Sequence, residues 1–111
     1  IKINTIKQNH GVIDTLGFIF NNTFAYCTDV VGFPEKSFNC LYNMKVLIIT
    51  GLRQSPHSAH AHFDLTFDWI STLKPEVAYL THLSPESDHD VVTNLCPPNT
   101  YPAYDGLVLN I

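Results

Sequence analysis

The chain has 111 residues, which is enough for one domain or for part of one. A hydrophobic content of 45% and a mean hydropathy of +0.04 are typical of a soluble globular protein, and the longest apolar runs are too short to cross a membrane. The net charge is −4, with only 6 Lys and Arg residues. Because non-specific nucleic-acid binding requires a positive surface, this composition argues against it.

The first part of the chain predicts three strands and a short helix. His10-Gly11 interrupts the first strand, and Asn21-Asn22 suits a hairpin turn between the second and the third. Pro34 fits the first turn of a helix. In chain order, the predicted strands cover residues 1–9, 12–20 and 23–27, and the predicted helix covers residues 34–42.

The second part predicts alternating strands and helices. The run at residues 45–49 is apolar on both faces, so we expect a central strand that is covered on both sides. The next helix has one apolar face, formed by Phe63, Phe67, Ile70 and Leu73. A strand within residues 76–82 follows, then a helix after a capping-box pattern that starts at Ser87, and a closing strand at residues 107–109. The order predicts a mixed α/β fold.

Two further features of the sequence concern the processing of the chain and the state of its cysteines. The chain begins with Ile1 rather than Met and shows no signal peptide, so we expect a processed or truncated product. The spacings of Cys27, Cys40 and Cys96 fit neither a zinc site nor a disulfide framework. They predict buried free thiols and a cytoplasmic location.

Polar side chains recur at the ends of the predicted strands. These residues are His10, Asp29 and His82, together with His57 and His60, which lie in one loop. Imidazole and carboxylate groups on neighbouring strand ends suit a metal site or general acid–base chemistry. Purely structural roles remain open for these residues, because a histidine at a core edge and an aspartate in a turn are both common. Spacing alone does not establish proximity.

Four stretches together resemble the C-terminal half of a metallo-β-lactamase-fold hydrolase. They are Tyr79-Leu-Thr-His82-Leu-Ser-Pro, Ala25-Tyr-Cys-Thr-Asp29, Leu52-Arg-Gln-Ser-Pro-His57-Ser-Ala-His60 and Ala103-Tyr-Asp-Gly-Leu107. The branch that these stretches resemble most is the cyclic-phosphate phosphodiesterase of the carbon–phosphorus lyase pathway. The resemblance implies the C-terminal half of an αββα sandwich, built on a mixed sheet with covering helices.

The resemblance also implies a metal centre of two Zn²⁺ or Mn²⁺ ions. By their match to the family's motifs, His10, Asp29 and His82 are expected to bind metal, with Asp29 bridging the two ions. The loop histidine His60 is expected to act as general acid toward the leaving oxygen of a small phosphodiester substrate. His57 is expected either to hold this loop or to support a ligand.

Residues outside these motifs complete the expectation. Tyr104 and Asp105 are candidates for fixing a histidine tautomer, although a plain turn is the better single explanation of these residues. The family's His-x-His-x-Asp-His motif does not occur in this chain, and Thr50 stands where relatives of this branch tend to carry Asp. We therefore expect half of a catalytic site, inactive by itself. The implied partner is the missing N-terminal half, or a second copy, bound at an exposed apolar sheet face.

Two other functions are compatible with the sequence. The first is a ribonuclease Z-like tRNA 3′-processing nuclease, whose histidine loop and Leu-Thr-His-Phe-Ser ending are similar to those found here. The acidic charge balance and the Ala103-Tyr-Asp-Gly-Leu107 ending favour the small-substrate branch. The second is a non-catalytic folded fragment or interaction module.

Overall fold

The computed structural model describes all 111 residues, Ile1–Ile111. It contains six strands and three helices in the predicted order. The strands are β1 (Ile3–His10), β2 (Ile13–Phe20), β3 (Phe24–Cys27), β4 (Val46–Thr50), β5 (Val77–Thr81) and β6 (Thr100–Pro102). The helices are α1 (Glu35–Asn39), α2 (Phe63–Leu73) and α3 (His89–Leu95).

The six strands form one mixed sheet in sequence order. β1, β2 and β3 form an antiparallel meander, in which the β2–β3 connection passes through Asn21 and Asn22 with φ of 51° and 57°. Asn tolerates this left-handed conformation better than most residues, so the predicted hairpin turn is confirmed. β4, β5 and β6 add to β3 in parallel through helical crossovers.

One face of the sheet carries the hydrophobic core. Alternate strand residues, such as Leu47, Ile49 and Leu80, are fully buried on this face. All three helices contribute to the same hydrophobic region, and α2 does so through the predicted apolar face, with Ile70 and Leu73 buried. The fold is therefore a sheet with helices packed on one side.

From β2 to β6, the opposite face of the sheet carries an open row of apolar residues. One row of paired residues crosses it from β2 to β6: Phe18, Tyr26, Ile48, Tyr79 and Tyr101. Phe18 and Tyr26 are each 36% exposed and Tyr101 is 46% exposed. The expectation that β4 is covered on both sides is therefore wrong for this chain, because Ile48 on the outer face is only partly buried.

Two local expectations differ from the structure. The closing strand lies at Thr100–Pro102 rather than at residues 107–109, because a turn after Tyr104 directs the last residues away from the sheet and leaves Val108 79% exposed. The cap of α3 is Asp88, whose Oδ1 accepts the N–H groups of Asp90 and Val91 at 2.9 and 3.1 Å. Ser87 instead donates its hydroxyl to the carbonyl of Leu52.

The remaining differences concern α1 and the cysteines. α1 is shorter than the predicted residues 34–42 and ends at Asn39. All three thiols are free, as expected, but only Cys27 is buried; Cys40 is exposed and Cys96 is half-buried. No helix has both the length and the apolar character needed to cross a bilayer.

Candidate metal centre

Four strands bring polar side chains to the same edge of the sheet. β1 and β3 are both antiparallel to β2, and β4 and β5 are parallel to β3, so the C-terminal ends of these four strands meet. His10 is the last residue of β1, and Asp29 lies just beyond the end of β3. The loop after β4 carries His57 and His60, and His82 directly follows β5.

The side chains of His10, Asp29, His60 and His82 form one cluster. The ring centroid of His60 lies 4.6 Å from that of His10 and 4.5 Å from that of His82. Oδ1 of Asp29 lies 3.3 Å from Nε2 of His82 and 3.8 Å from Nδ1 of His60. Possible metal-binding atoms of His10, Asp29 and His60 all lie within 4.8 Å of one another. We call this group the His/Asp cluster.

Two residues of the His/Asp cluster, Asp29 and His82, have unusual backbone conformations. Their φ angles are 56° and 59°, in the left-handed region. For an L-residue this region costs about 1–2 kcal/mol, although Asp tolerates it better than most. Such costs persist where the surrounding structure imposes the conformation, and they concentrate at functional sites.

The orientation of His10 is set by the histidine-bearing loop. Nδ1 of His10 lies 2.7 Å from the carbonyl oxygen of Ala59. A carbonyl only accepts hydrogen bonds, so Nδ1 must carry the hydrogen and Nε2 keeps its lone pair. This second contact is the usual way in which proteins fix the tautomer of a metal-binding histidine.

The loop itself is held by its own residues and by the segment after β3. Arg53 donates from Nε to the carbonyl of Ser55 at 3.1 Å and from Nη2 to that of Pro56 at 2.9 Å. The N–H of Ala61 donates to the carbonyl of Val30 at 2.8 Å. The Arg53 bonds stabilise the loop, and the Ala61–Val30 bond connects it to the backbone next to Asp29, so both parts of the site are fixed relative to each other.

His60 lies at the centre of the cluster, and its side chain is only 17% exposed. Its Nδ1 is buried and has no hydrogen-bond partner. Burial lowers the pKa of His60, and His82 and His10 lower it further, whereas Asp29 acts in the opposite direction. The neutral imidazole with an unpaired buried nitrogen fits either a metal ligand or a group that exchanges a proton with a substrate.

The donor set suits a divalent transition metal. Imidazole nitrogens with a carboxylate are common ligands of Zn, Mn and Fe, and the unpartnered nitrogen of His60 lies among them. The nearest thiol along the chain, Cys27, is buried, and burial raises its pKa to about 12. In the metal-free chain that thiol is therefore protonated.

The structure places the other predicted residues around this cluster. His57 accepts the N–H of Ala59 through Nδ1 at 3.0 Å, and so stabilises the loop. Tyr104 and Asp105 line a cavity of about 350 Å³ together with His82, but neither hydrogen-bonds to a histidine. The predicted turn there is present, since the N–H of Leu107 donates to the carbonyl of Tyr104.

Two contributors to the site were missed from the sequence. Arg53 carries no sequence signal beyond its place in the loop, and Ala59 acts only through its backbone, by its carbonyl oxygen and its N–H. Thr50, where relatives were expected to carry Asp, is fully buried with an unpartnered hydroxyl. It brings no charge to the site.

Residues 1–83 match the family described as the beta-lactamase superfamily domain. The chain therefore belongs to this superfamily, and the metallo-β-lactamase resemblance of its motifs is confirmed. The crystal structure of a new diphosphatase from the PhnP family is similar, with a TM-score of 0.95 and 29% sequence identity. The similarity covers 99% of this chain and 43% of that protein, and it confirms the expected α/β fold class.

A second relative is an octanoyltransferase of Porphyromonas gingivalis (strain ATCC BAA-308 / W83). It is 27% identical over 109 residues, which cover 96% of this chain and 22% of that protein. The chain thus spans less than half the length of each relative.

The left-handed conformation of His82 gives a prediction about stability. Asn adopts this conformation readily, whereas Val, of similar size, is β-branched and strongly resists it. We expect the free energy of unfolding of His82→Val to be about 1–2 kcal/mol lower than that of His82→Asn, as measured by urea denaturation. Equal stabilities would show that residue 82 is not held in the left-handed region.

Proposed function

We propose that this chain supplies the C-terminal half of a metal-dependent phosphodiesterase with a dinuclear centre. The observation that carries the proposal is the convergence of His10, Asp29, His60 and His82 at one edge of the sheet. The similarity to a diphosphatase supports chemistry at a phosphate group. The chain by itself has too few ligands for two ions, and we expect it to be inactive alone.

In this proposal, His10, Asp29 and His82 would hold the metal. His10 offers Nε2, because Nδ1 is committed to the Ala59 carbonyl. Asp29 would contribute its carboxylate oxygens. Divalent ions bound there would activate a water molecule and neutralise charge on the phosphate oxygens.

His60 is proposed to donate a proton to the leaving oxygen. Its pKa is lowered in the free chain, and the negative charge of a phosphodiester beside it favours the protonated form. The stacked ring of His82 and the edge of His10 limit the movement of the His60 ring, so the proton is delivered from a fixed position. His57 contributes by holding the loop.

The partner proposal rests on the open sheet face. In addition to the row from Phe18 to Tyr101, a second row pairs Phe20 with Phe24, whose rings stack at 5.3 Å, and Phe24 with Val46. Contiguous apolar faces of this kind mark interaction surfaces. We propose that the N-terminal half of the domain packs here as a second sheet, and that copies of the chain associate through this face when that half is missing.

The metal-binding role of Asp29 can be tested on the chain itself. Asp29→Asn removes the charge but keeps a side chain that tolerates the left-handed backbone. We expect it to weaken Co²⁺ or Zn²⁺ binding at least about tenfold, as measured by titration calorimetry. The control is Asp14→Asn, which removes an exposed carboxylate paired only with Lys7. Equal affinities for Asp29→Asn and the unmodified chain would contradict the proposed centre.

The role of His60 can be tested in the protein assembled with the segment that bears the missing motif. A proton donor matters most when the leaving group is a poor one. We therefore expect His60→Gln to reduce kcat by about 100-fold or more for a nucleoside 2′,3′-cyclic phosphate, but far less for bis(p-nitrophenyl) phosphate. Metal content should not change.

Other outcomes of this experiment contradict the assignment of His60 or of the substrate. Equal losses on both substrates would exclude proton donation, and loss of metal would make His60 a ligand. Faster cleavage of precursor tRNA than of the cyclic phosphate would favour the ribonuclease Z-like alternative. The exposed His89→Gln is the matched control.

Association through the sheet face can be measured by sedimentation velocity. We expect the unmodified chain to self-associate as its concentration rises, and the double variant Phe18→Thr/Tyr26→Thr to remain monomeric. Thr keeps the strand propensity while it removes the aromatic surface. Val108→Thr, at an exposed residue outside the sheet, should associate as the unmodified chain does. A monodisperse monomer without any partner would contradict the proposal.

A further inference from the structure

Gln8 is a fully buried polar residue in β1. Its Nε2 donates to the carbonyl oxygen of Thr28 at 2.9 Å and to the hydroxyl of Thr15 at 3.2 Å. The Thr15 hydroxyl in turn donates to the carbonyl oxygen of Asp29 at 2.8 Å. A continuous chain of hydrogen bonds thus runs from the interior of the β1–β2 hairpin to the backbone of Asp29.

The direction of each bond in this chain is fixed. The carbonyls of Thr28 and Asp29 only accept, so both the Gln8 amide and the Thr15 hydroxyl must donate. A carboxamide rotated by 180° would place two oxygens against each other, which excludes that orientation. Oε1 of Gln8 is left buried without a partner, a cost that the other bonds must offset.

Gly17 provides the space for the carboxamide. A Cβ atom at this position would lie 2.5 Å from Oε1 of Gln8 and 3.0 Å from the Ile6 side chain. The backbone of Gly17 has no positive φ that would itself require glycine. Gly17 is therefore needed to accommodate Gln8. A larger residue at position 17 would occupy the space that the buried amide fills.

The two anchored carbonyls flank the backbone dihedrals that aim the Asp29 side chain. Thr28 and Asp29 leave β3 in a turn in which Asp29 has φ of 56°. Holding both carbonyl oxygens fixes the peptide planes on either side of the Asp29 Cα atom, and so fixes the direction of its Cβ. The carboxylate then points to Nε2 of His82.

We propose that Gln8 and Thr15 are positioning residues for the Asp29 carboxylate. Their hydrogen bonds reach the site through the backbone carbonyls of residues 28 and 29. The part of this inference that concerns metal affinity rests on the proposed function. The part that concerns the conformation of Asp29 does not.

The test uses Thr15→Val, which keeps the shape and strand propensity of Thr but removes the hydroxyl. Thr15→Ser restores the hydroxyl, and Gln8→Met removes the amide at similar volume. The matched control is Thr5→Val in the same hairpin, because the exposed Thr5 makes no side-chain hydrogen bond. Three quantities are measured for each variant: the backbone chemical shifts of Asp29, the dissociation constant for Co²⁺, and the stability in urea.

We expect Thr15→Val and Gln8→Met to shift the Asp29 backbone resonances away from left-handed values and to weaken Co²⁺ binding about tenfold or more. Thr15→Ser should restore both quantities to within about twofold of the unmodified chain, and Thr5→Val should change neither. A loss of stability in Thr15→Val with unchanged shifts and unchanged Co²⁺ affinity would show a purely structural role and overturn the proposal.

The two proposals fail in different ways. If the unmodified chain bound no Co²⁺, the proposed metal centre would be contradicted, while the Asp29 chemical shifts would still decide the positioning role. If Co²⁺ bound tightly and equally to all variants, the metal centre would stand and the positioning role would be overturned.

Discussion

The common direction of β1, β3, β4 and β5 is the constraint on which the site depends. Because the meander turns twice before the parallel strands begin, residues separated by as many as 72 positions, from His10 to His82, finish at one edge. The hydrogen bonds of the sheet hold these strand ends in place, so the polar side chains need little adjustment to meet. A rigid scaffold of this kind is what a metal or acid–base centre requires.

Backbone carbonyls do much of the finer positioning. The Ala59 carbonyl selects the tautomer of His10. The carbonyls of residues 28 and 29 accept hydrogen bonds from Gln8 and Thr15. Each net hydrogen bond contributes about 0.5–1.5 kcal/mol, which is the same order as the cost of a left-handed residue. The strained residues at the site are thus supported by contacts that continue into the hairpin and the loop.

Local patterns in the sequence predicted the elements well, and they did not predict long-range packing. The hairpin at Asn21-Asn22 and the apolar face of α2 follow from backbone preference and from helical periodicity. The closing strand is misplaced in the prediction because the short apolar run Leu107-Val-Leu109 resembles a strand, whereas Thr100–Pro102 contains a proline that only an edge strand accepts. Gln8 could not be identified, because a polar residue in an alternating strand is normally exposed. The places of these residues at the ends of predicted strands pointed to the members of the cluster, and the motif resemblance assigned their expected roles.

The central claim is that His10, Asp29 and His82 together hold a metal ion. It is tested most directly by diffraction from crystals of the chain grown with Co²⁺, with data collected at the cobalt absorption edge. The account predicts an anomalous peak bonded to the Asp29 carboxylate and to at least one of His10 and His82, with His10 bound through Nε2. The absence of a peak at this edge of the sheet, or a peak only at surface residues elsewhere, would contradict it.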